Sequence, residues 1–176
     1  MKARKVWVDR RTFLGAGLST AVGVTASCGA RPGSGWRFFT AEEALTVDAI
    51  CEQIIPADRD AGAREARVVN YIDLQLVRSF RKYQGTYRQG IAATDAVARK
   101  QFDKRFVELP AAQQTTVLLD IEKSQKPFFD LILAHTRQGF YGDPRHGGNR
   151  NMVSWKMLQL PYPQVRGRQH PDGDKG

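Results

Sequence analysis

Cysteine, histidine and long apolar runs are all scarce in this chain, and each scarcity removes a class of function. Only Cys28 and Cys51 are present among 176 residues. An iron–sulfur cluster needs several cysteines, so this chain cannot hold one. If Cys28 leaves with a leader or is acylated, Cys51 stands alone and no disulfide forms within the mature chain. A solitary Cys51 on an amphipathic pattern reads as a small buried apolar residue. The three histidines, His135, His146 and His170, do not make a metal constellation, because His170 lies in a tail rich in turn-formers. No apolar run reaches the about 20 residues of a membrane-spanning helix. No stretch alternates apolar and polar residues at period two, and no hairpin signal separates β-rich runs. Gly-x-Gly-x-x-Gly after a strand is also missing, so binding of FAD or NAD by this chain is not expected. Asp58, Asp60 and Gly62 superficially suggest a calcium loop, but no downstream glutamate completes the ligand set. They read as a capped surface turn.

What the chain does have begins with Asp9-Arg10-Arg11-Thr12-Phe13-Leu14, followed by the Gly/Ala-rich apolar stretch Leu14–Ala26. Basic residues, then roughly a dozen apolar or small residues, then a small-residue cleavage point is the layout of an export signal. The pair Arg10-Arg11, with Phe13 and Leu14 behind it, resembles the bacterial twin-arginine (Tat) signal. That route carries proteins already folded, often with a cofactor or docked to a partner that has one. Residues 1–30 are therefore expected to be an export leader for the periplasm. Thr25-Ala26-Ser27-Cys28 partly matches a lipoprotein box, which would make Cys28 an acylated N-terminus. Ordinary cleavage between Ala26 and Ala30 is the alternative. One acyl chain holds a protein to a membrane only marginally.

The formal charge of +9 divides unevenly. Lys2, Arg4, Lys5, Arg10 and Arg11 against Asp9 place +4 in the leader, leaving +5 for the remainder. Arg78, Arg81, Lys82 and Arg88 form the densest cluster there, and Arg99, Lys100, Lys104 and Arg105 the next. Both read as solvated faces before acidic-partner surfaces. Nucleic acid is not an expected partner, since no recognition motif accompanies the charge.

Residues 31–39 hold Gly33, Gly35 and Pro32 and read as a flexible lead-in. Thr40 and Glu43 have capping-box spacing, and Leu45, Val47, Ile50 and Ile54 follow as an apolar stripe up to Pro56. A second helix is predicted over 63–81, with Val68, Val69, Ile72, Leu76 and Phe80 inward, and a break at Gly85. A third runs from Tyr87 to Val107, carrying Ile91, Ala92, Val97, Phe102 and Phe106. A fourth follows Pro110, which suits a first helical turn, with Val117, Leu118 and Ile121 inward. The fifth starts near Lys126 and carries Phe128, Phe129, Leu131, Ile132 and Phe140. The expected fold is all-α: a compact bundle of five or six helices over 40–163, then an extended or disordered tail over 164–176.

Beyond Phe140 the chain becomes Tyr141-Gly142-Asp143-Pro144-Arg145-His146-Gly147-Gly148-Asn149, dense in turn-formers, and then a short apolar segment through Met152, Val153 and Trp155. The glycines at 139, 142, 147 and 148 read as sites of positive φ or close chain approach. Asp143 before Pro144 fits an Asx-type turn, and Asn149 can cap the short helix after it. His135 reads as a buried, hydrogen-bonded histidine. Phe140, Tyr141 and Trp155 read as core or interface aromatics.

His135, Thr136, Gly139, Phe140, Asp143, Pro144, Gly147, Gly148, Asn149 and Trp155, in this order and spacing, resemble the C-terminal signature of the gluconate 2-dehydrogenase subunit 3 family. Phe38–Glu43, Ile54–Asp58, Gly62–Ala66 and Tyr71–Asp73 are similar to its opening. The likeness covers most of residues 38–163. His146 and Gln138 stand where the family commonly has a tyrosine and an acidic residue.

The resemblance implies a small, exported, non-catalytic subunit without a cofactor of its own. Its relatives pair with a large flavoprotein of the glucose–methanol–choline (GMC) oxidoreductase type, which holds FAD and oxidises a sugar or sugar acid. A multihaem cytochrome c subunit often completes the complex, with its haem c passing electrons to the membrane chain. The signature residues would then contribute to the partner interface, and the Tat translocase would be met during export. Two other functions fit parts of the sequence: an autonomous enzyme built on His135, Asp143 and Asn149, and a free-standing periplasmic lipoprotein with a binding or scaffolding role.

Overall fold

The computed structural model describes residues 35–160. The expectations for the export signal at Arg10, Arg11, Phe13 and Leu14, for Cys28, and for the tail beyond Leu160 lie outside the described residues. Within them the fold is the expected all-α bundle. Its six α-helices are α1 (Ala41–Ile54), α2 (Val68–Leu76), α3 (Gln84–Phe102), α4 (Ala111–Ser124), α5 (Lys126–Tyr141) and α6 (Val153–Met157), joined by short 3₁₀ turns.

Helix α1 starts as its sequence dictates. Thr40 Oγ1 accepts from the Glu43 N–H at 3.1 Å, and the Thr40 N–H donates to Glu43 Oε2 at 2.8 Å. Two N–H groups that the helix itself leaves unpaired are thus satisfied reciprocally. Ala44, Val47, Ile50 and Cys51 form its buried face. Val47 and Ile50 are buried as expected, but Leu45 is 56% exposed, because Ala44 takes the inward position in that turn.

Helix α2 is much shorter than predicted. Residues 63–67 form a turn instead, with Arg67 in the left-handed region at φ 53°. Glu52 causes this. Its carboxylate accepts from the Ala57 N–H at 3.1 Å and the Arg64 N–H at 2.8 Å, folding the loop back on α1. In the same loop the Asp60 N–H donates to Asp58 Oδ1 at 2.9 Å, the capped turn read from the sequence. At its far end α2 stops at Leu76, whose carbonyl accepts from Gln84 Nε2. The break between α2 and α3 therefore precedes Gly85, which lies in the first turn of α3. Pro110 sits one position outside α4, as its cap residue, while Pro127 occupies the first turn of α5.

Helix α5 is the hub, packing against α1, α2, α3 and α4. Its Phe128, Ile132, His135, Thr136, Gly139 and Phe140 are all buried. The α3–α5 contact is close because a Cβ at Gly90 would lie 2.0 Å from the Phe128 ring. Tyr87, which periodicity had placed only at the start of a helix, is among the largest fully buried side chains. It meets Phe128 edge-on, with ring centroids 5.6 Å apart. Ala92 faces solvent, and Val97 and Phe102 are half-buried, so α3 contributes a thinner stripe than predicted.

Candidate functional site

The polar groups of the signature are built into the bundle from α5 outward. His135 is buried, and its Nδ1 lies 2.9 Å from the Tyr87 hydroxyl, which donates to it in the Nε2–H tautomer. The Phe80 ring stacks on the imidazole, nearly parallel to it, with centroids 4.0 Å apart. Burial disfavours the imidazolium and pulls the His135 pKa down to about 4. The same burial raises the Tyr87 hydroxyl well above its ordinary value. One residue on, Thr136 Oγ1 donates to Cys51 Sγ at 3.2 Å. Burial pushes the Cys51 thiol up to about 12. This is an inert thiol, not a nucleophile.

The turn after α5 folds back on the helix it leaves. A Cβ at Gly148 would stand 2.1 Å from the Gly139 carbonyl oxygen. Gly148 lets the chain cross the end of α5 where no side chain fits, while a Cβ at Gly139 would meet the Tyr71 side chain. Gly147 has φ +99°, a conformation that favours glycine. Asp143 Oδ1 accepts from the Arg145 N–H at 2.9 Å, and Oδ2 from Arg145 Nε at 2.8 Å, closing the turn at Pro144. Asn149 is fully buried in a left-handed conformation. Its Nδ2 donates to the Gly142 carbonyl at 2.9 Å, and its Oδ1 accepts from the Ser154 N–H at 3.1 Å. It thereby ties the loop to the first turn of α6. The Arg150 N–H donates to the Ala66 carbonyl at 3.0 Å and joins this loop to the turn before α2. Trp155 is half-buried, with Nε1 donating to the Tyr141 carbonyl.

His135, Asp143 and Asn149 thus each satisfy a different partner. Of the signature residues, His135, Thr136, Gly139, Phe140, Gly148 and Asn149 are turned inward. Asp143, Pro144, Gly147 and Trp155 are partly exposed, beside the more exposed Tyr141. Leu158 and Leu160 at the end of α6 add exposed apolar surface.

Sequence reading missed a second device at the opposite end of the signature. Asp73 on α2 is only 1% exposed. Its carboxylate accepts from the N–H groups of Arg37 at 2.8 Å, Phe38 at 2.9 Å and Phe39 at 3.0 Å. Arg88 pairs with Glu43, donates to the Phe38 carbonyl and lies over the Phe38 ring. Burial alone would raise the Glu43 pKa, but the Arg88 and Thr40 hydrogen bonds outweigh it and hold the carboxyl below its usual range. From Arg37 onward the lead-in is therefore a fixed strap rather than a flexible segment. The signal was one acidic residue on an otherwise apolar helix face, Val69, Ile72, Asp73 and Leu76.

Among the described residues the surface is marked by grooves. One of about 430 Å³ runs beside Trp36, Leu45, Arg64 and Val69. A second, of about 330 Å³, is bordered by Glu42, Arg88, Asp95 and Arg99. A third, of about 230 Å³, is lined by Ile54, Leu118, Leu119, Phe129 and Leu133. Among the described residues no three His, Cys, Asp or Glu side chains are grouped to hold a metal ion. No helix among them is long and apolar enough to cross a membrane.

Searches of curated proteins and of solved structures returned no match. The family described as Gluconate 2-dehydrogenase subunit 3 matches residues 41–161, which takes in every α-helix described above and the whole of the C-terminal signature. The chain belongs to the gluconate 2-dehydrogenase subunit 3 family.

Proposed function

We infer that this chain is the non-catalytic small subunit of a periplasmic, membrane-associated dehydrogenase complex. Its partner is a large GMC-type flavoprotein that holds FAD and oxidises a sugar or sugar acid, and a cytochrome c subunit with haem c receives the electrons. The twin-arginine leader carries both chains through the Tat translocase, and the helical domain stabilises the flavoprotein during and after export. Family membership over residues 41–161 is the observation that carries this reading. The internal hydrogen bonding of the signature agrees with it. His135 ties α5 to α3 through Tyr87, while Asp143 and Asn149 hold the loop between α5 and α6, whose two ends carry Tyr141 and Trp155 at the surface. Aromatic side chains of this kind are enriched in the cores of protein interfaces.

The test is made in the producing cell. Replacing Arg10 and Arg11 together by Lys should leave both this chain and the dye-linked dehydrogenase activity in the cytoplasm. Activity that still reaches the periplasm in the double variant would refute the shared-export role.

A further inference from the structure

Two basic clusters stand out in the sequence, and the structure separates them. In the cluster around the end of α3, Arg105 pairs with Glu108 at 3.2 Å and approaches Glu42, so that surface is of mixed sign. The corner between α2 and α3 is different. From Ala66 to Thr94 the only acidic residue is Asp73, and its carboxylate is buried under three backbone N–H groups. Glu43 on α1 is taken by Arg88 and Thr40. Arg78, Arg81 and Lys82 are all exposed and have no acidic partner among the described residues. They follow one another along a single connection, with the Arg81 N–H donating to the Arg78 carbonyl. Lys82 Nζ lies 4.9 Å above the half-buried Tyr83 ring. The three cations lie outside the grooves described above.

We propose that the α2–α3 corner, through Arg78, Arg81 and Lys82, docks the protein on an anionic phospholipid surface. Exposed, unneutralised cations beside an aromatic ring match the chemistry of a bilayer interface carrying negative headgroups. Such a patch acts additively with any other attachment, because each cation near the surface contributes independently and the attraction is screened by salt. This inference goes beyond the subunit assignment and does not depend on it.

The purified protein is tested by sedimentation with vesicles of phosphatidylglycerol and, separately, of phosphatidylcholine. Preferential binding to phosphatidylglycerol that weakens as salt rises is expected. Changing Arg78, Arg81 and Lys82 together to Gln should reduce that preference on the order of a hundred-fold. A control changing Arg99, Lys100 and Lys104 to Gln should retain most of it. Circular dichroism on both variants checks that the helices are intact, and single substitutions replace the triple variant if they are not. Equal binding to both vesicle types, or an equal loss in the control, would overturn the proposal. So would loss of a co-purifying protein, with lipid binding unchanged, in the Arg78/Arg81/Lys82 variant, because the corner would then face an acidic protein surface.

Discussion

Replacing Asp73 by Asn should release the strap while leaving the shape of the side chain almost unchanged. In the native protein Oδ1 accepts two backbone N–H bonds, from Phe38 and Phe39, and Oδ2 accepts one from Arg37. An amide has one acceptor oxygen. In its better orientation it keeps the two Oδ1 bonds and turns an NH₂ toward the Arg37 N–H. The two retained bonds lose their charge assistance, about 1 kcal/mol each, and the orphaned donor costs about 1–3 kcal/mol. Relief from burying a charge offsets part of this, leaving a loss of about 3 kcal/mol. Urea unfolding should show that loss as a lower midpoint at unchanged slope. Hydrogen exchange should localise it, with the amides of Arg37, Phe38 and Phe39 losing protection while those of α5 change least. A midpoint shift equivalent to less than 0.5 kcal/mol, with these three amides still protected, would refute the reasoning.

Four further outcomes follow from the same contacts. Gly148→Ala sets a Cβ against the Gly139 carbonyl oxygen and should cost about 3 kcal/mol by thermal or urea unfolding. Gly85→Ala, with nothing within 4 Å of the new carbon, should instead stabilise by about 0.5–1 kcal/mol; equal effects at the two sites would contradict the packing described. The pKa of His135 falls from 6.5 to about 4 on folding. The contribution of about 3 kcal/mol is fully present above pH 6.5 and is lost as pH falls from 6.5 through 4. An NMR titration should show its ring protons unshifted until below pH 5, and a midpoint near 6.5 would refute this. Cys51, with its thiol raised to about 12, should resist iodoacetamide in the native protein and react in urea, as read by peptide mass. Rapid labelling without denaturant would show that the thiol is accessible.

Local chemistry was legible in the sequence, and long-range chemistry was not. Thr40 and Glu43 announced the start of α1 because a capping box is complete within four residues. Pro127, the Asp58–Asp60 turn and the Asp143–Pro144 turn were equally local. The start of α2 was misjudged because Ala63–Arg67 has helix-compatible composition. Glu52, one loop earlier in the chain, captures the backbone there. Tyr87 was left out of the core because it sits among Gln84, Arg88 and Gln89. Its hydroxyl can be buried only because His135, 48 residues away, accepts its hydrogen bond. The inward glycines of the signature were read correctly as turn and close-approach positions. Their partner could not be read, because Gly148 meets Gly139 only after the chain has folded back. The place of Asp73 on an apolar helix face marks it as unusual, but its three donors are backbone groups that leave no mark in a sequence.

The most direct test of the account is affinity purification of the tagged, exported protein, with an absorbance spectrum and mass analysis of whatever accompanies it. The subunit assignment predicts a larger co-eluting flavoprotein, with flavin absorption bands and dye-linked dehydrogenase activity on a sugar or sugar acid. A colourless protein that elutes alone, from cells in which dehydrogenase activity runs separately, would contradict it.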